Sequence, residues 1–170
     1  MRGKWAAGIP PRNFTWIIRD RLAMSERPGG FAPTHRRVRR QEELIWLRAQ
    51  GFGRVISLLP SQHNLHVYEE EGMAYAHYPL FPNADPRPAL TGCYADVGRS
   101  LGQGLCVLVH QEELGDRALG VAAGFLLWSG RVPSEPQAIA LLEHLVGRQM
   151  GAQGRELVVT AAGLPPRQPV

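Results

Sequence analysis

The fold is decided by one stretch of sequence, residues 105–120, which reads LCVLVHQEELGDRALG. Its first five residues contain no polar side chain, as expected of a strand at the centre of a parallel sheet. Residues 117–128 follow as a predicted helix. The loop between them runs from His110 to Arg117 and lies beyond the carboxyl end of the strand. In α/β proteins this is where sites for ligands are found.

Strands alternate with helices on both sides of this stretch. Two short apolar runs in residues 13–24, separated by Arg19-Asp20-Arg21, predict a hairpin. The other predicted strands are 54–59 and 74–78, and the other predicted helices are 34–50, 63–71, 89–101 and 134–150. The pattern predicts an α/β domain over residues 13–150, with a mostly parallel central sheet flanked by helices. Residues 1–12 are interpreted as an N-terminal extension and residues 151–170 as a partly disordered C-terminal tail.

Length and composition limit the classes of protein that remain. A chain of 170 residues fits one domain, and its formal net charge of +4 permits an anionic partner without requiring one. Only two cysteines are present, Cys93 and Cys106, which indicates a reducing compartment and no disulfide framework. The most apolar segment, residues 118–128, is too short to cross a bilayer. We therefore expect a cytoplasmic protein with no membrane partner.

His110 and Arg117 match a known signature in identity, spacing and context. The sequence resembles the small dual-specificity and tyrosine phosphatases, in which a strand ends in His-Cys, five loop residues follow and an arginine opens a helix. The segment NFTWIIRDRLAMSERPG, residues 13–29, also looks like the opening of the small dual-specificity phosphatases. The resemblance covers residues 13–150. It implies the fold of that family, with His110 orienting the loop through buried hydrogen bonds.

The resemblance breaks down at the positions that do chemistry in the family. There a thiolate attacks phosphorus while backbone N–H groups and the arginine bind the phosphate oxygens. Here Gln111 takes the nucleophile's place, and an amide cannot displace an alcohol from phosphorus. Leu114 and Asp116 stand where glycines would let the backbone approach the anion, with Gly115 between them. Leu80 stands where the resemblance implies a general acid.

The loop is also acidic, because Glu112, Glu113 and Asp116 surround Arg117. Each negative charge near a bound phosphate costs about 1 kcal/mol even in solvent. A carboxylate can also accept two parallel hydrogen bonds from one guanidinium, as a phosphate does. We therefore expect Arg117 to be held by Glu112 or Asp116 as a structural residue. Asp85 could replace the missing general acid only if its loop folded back.

A second cysteine–five–arginine pattern runs from Cys93 to Arg99. Taken alone it would pass as the phosphatase signature, so Cys93 is the fallback nucleophile. However, the pattern follows Thr91-Gly92 rather than a strand, and its residues fit an amphipathic helix that offers no loop of free N–H groups. Cys106 is predicted to be a buried apolar residue of the central strand.

The densest basic run is residues 35–40, HRRVRR. Its four arginines join Arg117 as candidate residues for binding an anion or a partner: Arg36, Arg37, Arg39 and Arg40. A phosphoprotein or an acidic protein fits this chemistry. Nucleic acid is not expected, because no aromatic side chains interleave to stack on bases.

Two histidines are spaced as metal ligands on a helix could be, His63 and His66, beside Glu69 and Glu70. No second cluster completes a site, so we predict no metal and no cofactor. His77 is expected to be a strand residue with a hydrogen-bond partner.

Taken together, these features predict a pseudophosphatase, a non-catalytic binding or regulatory module that reuses the cleft around residues 110–117. The alternative is a weak or unconventional protein tyrosine or dual-specificity phosphatase. A third interpretation is a basic adaptor that binds an anionic partner through residues 36–40. Charge reversal in that run would separate the third interpretation from the other two.

Overall fold

Residues 8–30, 37–62 and 65–166 are described by a computed structural model. The strands are β1 Thr15–Ile18, β2 Leu22–Glu26, β3 Phe52–Ser57, β4 Ala74–His77 and β5 Cys106–Gln111. The helices are α1 Arg37–Ala49, α2 His66–Glu70, α3 Arg87–Gly102, α4 Asp116–Trp128, α5 Glu135–Val146 and α6 Ala152–Ala162. The element order agrees with the sequence prediction through α5. The first residues of the helix predicted at 34–50 lie outside the described ranges.

Within the described ranges, one sheet of five strands lies at the centre, in the order β1-β2-β5-β3-β4. Only the hairpin β1–β2 is antiparallel, while β2–β5, β5–β3 and β3–β4 are parallel. The predicted mostly parallel α/β sheet is therefore confirmed. Its apolar strand β5 is central, so both of its faces must be covered by helices.

Side chains of β5 alternate between two separate hydrophobic cores, as the period of a strand requires. Val107 and Val109 face the larger core, to which α3, α4, α5 and α6 contribute. Leu108 faces the smaller core, where it meets Leu44 and Leu47 of α1. The helices on the two faces therefore hold the carboxyl end of β5, where the loop of interest begins.

The C-terminal segment corrects the sequence prediction of a partly disordered tail outside the domain. Residues 152–162 form α6, and its Leu157, Val158 and Ala161 are buried in the larger core. Two glycines allow close contact between α6 and α4, because a Cβ on Gly120 would lie 2.5 Å from the carbonyl oxygen of Gly154. The domain therefore extends past residue 150.

The helix predicted for residues 134–150 is shorter than expected. It ends at Val146 because Gly147 adopts the left-handed conformation, with φ of 75°. Ser134 caps its first turn by accepting a hydrogen bond from the Gln137 amide. Across the described residues, every helix is too short or too polar to span a bilayer.

Candidate functional site: the loop after the central strand

An open cleft of about 380 Å³ lies at the carboxyl edge of the sheet. Its apolar wall comes from the segments that follow β3 and β4: Leu58, Leu59, Pro60, Leu80 and Pro82. Its polar wall comes from the end of β5, the loop that follows and the first turn of α4, together with one residue of α6: Gln111, Glu112, Glu113, Gly115, Asp116, Arg117 and Gln153. The structure therefore brings most of the loop residues selected from the sequence into one cleft.

His110 ends the buried part of β5 and is wholly enclosed, with no exposed surface. Its Nε2 lies 3.1 Å from the hydroxyl of Tyr68 on α2, and its carbonyl accepts a hydrogen bond from the Leu58 amide. Burial, with the positive charge of Arg27, lowers the pKa of His110 to about 3. The imidazole is therefore neutral at physiological pH and anchors the start of the loop.

Gln111 is the last residue of β5 and is half-buried. Its backbone is fixed in register opposite Glu26 of β2, and its side chain lines the cleft. The position where the resemblance implies a nucleophile therefore holds a carboxamide. An amide of this kind can donate and accept hydrogen bonds, but it offers no nucleophile for phosphorus.

Arg117 corrects one expectation, because neither Glu112 nor Asp116 holds it. Its Nη2 donates to the backbone carbonyl of Phe81, at 3.3 Å. Glu112 instead pairs with Arg27, with 3.0 Å between Oε1 and Nη1. The prediction was wrong because it paired charges that are close in sequence. Arg27 directly follows β2, whose parallel pairing with β5 brings its end beside the loop.

Asp116 is engaged with α6. Its carboxylate oxygens accept hydrogen bonds from the amides of Gly151 and Gly154, at 2.5 and 2.8 Å. Gly151 is the N-cap residue of α6 and has no side chain with which to cap the helix. Asp116 therefore supplies from α4 the acceptor that an N-cap side chain usually provides, and its charge also complements the dipole of α6.

The residue at the position where the resemblance implies a general acid is a leucine, Leu80. Leu80 is buried, with 4% of its surface exposed, and its amide donates to the carbonyl of Leu58. Asp85, the possible substitute, is exposed and forms a bidentate ion pair with Arg87 at the start of α3. It is not among the described residues that line the cleft.

Cys93, the fallback nucleophile, lies within α3 and belongs to the larger core, with 1% of its surface exposed. Burial, aided by the nearby charge of Asp96, raises the pKa of its thiol. No described residue that lines the cleft is a cysteine, so the structure places Cys93 away from this cleft. Cys106 is half-buried at the start of β5, and burial also raises its thiol pKa.

The basic run does not form one uniform exposed patch in the part that the structure describes. Arg36 lies outside the described residues, and Arg37 is exposed on the first turn of α1. Arg39 donates to Glu43, a carboxylate with no exposed surface, at 2.8 Å. Arg40 lines a small cavity beside Tyr68, and burial lowers its pKa. Two of the arginines are therefore turned toward the protein.

The candidate metal ligands are only partly described, because His63 lies outside the described residues. His66 is exposed on α2, and the described residues contain no group of three or more potential ligands. His77 has the partner expected of it, since its Nε2 lies 2.5 Å from the carbonyl oxygen of Leu59.

Sequence reasoning missed two residues that shape the site, Arg27 and Tyr68. Arg27 could have been found from topology, because the ends of neighbouring parallel strands meet at one edge of a sheet. Tyr68 lies 42 positions from His110 in sequence, on a helix of five residues, and carries no local signal of its role.

The fold is that of the dual-specificity and tyrosine phosphatases, which the resemblance implied. Kinase associated phosphatase, in a form with serine in place of its catalytic cysteine, superposes with a TM-score of 0.72 at 21% identity. That match covers 91% of this chain and 98% of the other. Tk-PTP in its active form gives 0.68 at 19% identity, over 88% and 95% of the two chains.

A third solved structure shares this fold. The core catalytic domain of the PP-IP phosphatase SIW14 from S. cerevisiae, in complex with citrate, gives a TM-score of 0.65 at 16% identity. It covers 91% of this chain and 88% of the other. Neither a family model nor a curated protein sequence matches this chain. At these identities the comparisons establish the fold, and function must be argued from the site.

Proposed function

We propose that this protein is a pseudophosphatase, a catalytically inactive binding or regulatory module built on the dual-specificity phosphatase fold. One observation carries the proposal. Gln111 occupies the end of β5 and lines the cleft, at the position that matches the family's catalytic cysteine. A carboxamide there leaves phosphoryl transfer without a nucleophile.

The surroundings of Gln111 support the same proposal. Leu80 lines the cleft where a general acid would be needed, and a hydrocarbon side chain has no proton to give to a leaving group. The charges of Glu113 and Asp116 oppose a phosphate dianion beside Arg117. The alternative of a weak phosphatase would need a thiol in the cleft, and the described lining residues include none.

The cleft still suits a protein ligand. One wall is apolar, and Arg117 stands on the other wall with one long hydrogen bond to a backbone carbonyl. A guanidinium has five N–H donors, so Arg117 can bind a further acceptor. A carboxylate with a single charge fits better than phosphate among the acidic loop residues. We therefore favour as the partner a protein segment that presents one carboxylate to Arg117, in the cytoplasm, where free cysteines such as Cys93 and Cys106 persist.

Turnover of an aryl phosphate tests the catalytic part of the proposal. The wild-type protein should release the phenol no faster than buffer does. The Cys93→Ser variant controls for the cysteine that five residues separate from an arginine, Arg99. Hydrolysis above the buffer rate that disappears in Cys93→Ser would establish an enzyme that uses Cys93.

Thermal unfolding in the presence of small anions tests the binding part. Phosphate should leave the melting temperature of the wild-type protein unchanged, because the loop disfavours a dianion. A phosphate-dependent rise that is lost in Arg117→Gln would show that a phosphate site is retained in the cleft, and it would contradict the proposed preference for carboxylates.

A further inference from the structure

A second, much smaller cavity lies behind the loop, on the side of β5 that faces α1 and α2. Four polar residues line it, Arg27, Arg40, Tyr68 and His110, together with Pro28, Leu59 and Leu65. It has about 10 Å³ of space for the centre of a water-sized particle. That is enough for one such particle.

Unpartnered polar atoms are concentrated at this cavity. In the described part of the chain, three buried side-chain atoms have no hydrogen-bond partner: Arg40 Nε, His110 Nδ1 and Glu112 Oε2. Two of these atoms belong to residues that line the cavity, and the third belongs to the carboxylate paired with Arg27. Native proteins rarely leave buried polar atoms unpaired, so this cluster indicates a bound ligand.

The groups around the cavity offer donors and positive charge. His110 is neutral, because burial lowers its pKa to about 3, and burial raises the pKa of Tyr68, which is therefore neutral as well. When the Tyr68 hydroxyl donates to Nε2 of His110, the imidazole proton is on Nδ1, the unpartnered nitrogen. Arg40 Nε also carries a proton. Both unpartnered nitrogens of the lining are then donors, so the ligand must accept hydrogen bonds.

The charge distribution favours an anion over water. Arg27 and Arg40 bring two guanidinium groups to the cavity. The pKa of Arg40 is lowered, mainly by burial and to a smaller extent by the positive charge of Arg27. Glu112 neutralises Arg27 from the loop. No carboxylate is among the described residues that line the cavity, and Glu70, the acid that acts on Arg40, is exposed on α2.

We propose that this cavity binds one monatomic anion, with chloride as the cellular ligand. Arg40 Nε and His110 Nδ1 donate to it, and Arg40 also balances its charge, because Glu112 already neutralises Arg27. The site is separate from the cleft, and it does not depend on the proposed binding function. It would link α1 to the end of β5, and through the Arg27–Glu112 ion pair to the loop, so its occupancy would stabilise the start of the loop.

Halide-dependent thermal unfolding tests the site in solution. Bromide replaces gluconate at constant ionic strength, and the melting temperature of the full chain is followed. At about ten times its dissociation constant, a ligand should raise the melting temperature by about 3–6 °C for a chain of this size. The rise should saturate, and Arg40→Met should abolish it. Arg19→Met, which removes an equal charge from an exposed turn residue, should retain it.

Crystals of the wild-type protein grown in bromide provide a test that does not depend on a variant folding. An anomalous peak within hydrogen-bond distance of Arg40 Nε and His110 Nδ1 is expected. Density for a water there, with no anomalous signal, would overturn the proposal. A halide-dependent rise of equal size in the wild type, Arg40→Met and Arg19→Met would do the same, because it would reflect a general salt effect.

Discussion

Replacing Asp116 is the most direct test of how the loop is held. In Asp116→Ala the amides of Gly151 and Gly154 lose acceptors at 2.5 and 2.8 Å. The N-cap residue of α6, Gly151, has no side chain that could replace these acceptors. The first turn of α6 would then have to leave its N–H groups to solvent or move away from α4.

The size of the effect follows from these contacts. Losing an N-cap acceptor costs about 1 kcal/mol on average and about 2 kcal/mol at most. Losing a negative charge at a helix N-terminus adds about 0.3–1 kcal/mol. We therefore expect Asp116→Ala to lower the free energy of unfolding by about 2 kcal/mol, which is a fall of about 4–8 °C in melting temperature for a chain of this length. Asp116→Asn keeps an acceptor oxygen and should lose less.

Thermal unfolding followed by circular dichroism measures the melting temperatures of the wild type and of Asp116→Ala. Glu113→Ala is the matched control. Glu113 lies in the same loop, carries the same charge and is exposed. Its replacement should change stability by no more than about 0.5 kcal/mol. Equal melting temperatures for the Asp116→Ala and Glu113→Ala variants would refute the claim that Asp116 anchors α6.

Three further variants test the packing and the site. Gly154→Ala should destabilise the protein by about 1–3 kcal/mol in a urea titration, because the added Cβ would lie 2.6 Å from the Asp116 carbonyl oxygen. Gly163→Ala is the control and should be neutral, since the nearest atom to its added Cβ is 3.6 Å away. Burial would raise the pKa of Asp96, but hydrogen bonds, led by that from Arg54, hold it below its usual value. The ion pair should therefore stabilise the fold above about pH 4, where the unfolded carboxyl ionises, and less as the pH falls through the folded pKa. Asp96→Ala should cost about 3–5 kcal/mol at pH 7 and less at pH 3. Gln111→Cys alone should leave aryl phosphate turnover at the buffer rate, and robust hydrolysis by this variant would show that the rest of the loop still forms a phosphate cradle.

Much of the fold could be predicted because its signals are local. The uninterrupted apolar run that includes Val107, Leu108 and Val109 indicates a strand buried on both faces, and the structure places it at the centre of the sheet. The helical spacing around Cys93 likewise indicated a helix rather than a loop, and the structure has α3 there. In both cases the residues that form an element also carry its pattern.

The missed features depend on contacts between distant parts of the chain. α6 begins at Ala152, and its N-cap residue Gly151 has no side chain; the capping carboxylate comes from Asp116, 35 residues before Gly151. Glu112 pairs with Arg27, 85 residues away, rather than with Arg117. An inference from sequence spacing pairs charged residues that are close to each other along the chain. Here the parallel pairing of β2 with β5 and the docking of α6 on α4 determine the partners.

If the protein is the pseudophosphatase proposed above, the same contacts predict that the loop resists conversion into a phosphatase. The resemblance to the phosphatases implies glycines at positions 114 and 116 of a phosphate cradle, where they let backbone N–H groups approach the anion. Replacing Asp116 would remove the cap of α6, and placing a carboxylate at Leu80 would introduce a charge at a position with 4% exposure. Both substitutions would therefore lower the stability of the protein, the first at the cap of α6 and the second at a buried position. The acidic residues that would disfavour phosphate include Glu112 and Asp116, which are also the residues that fix the loop to β2 and α6.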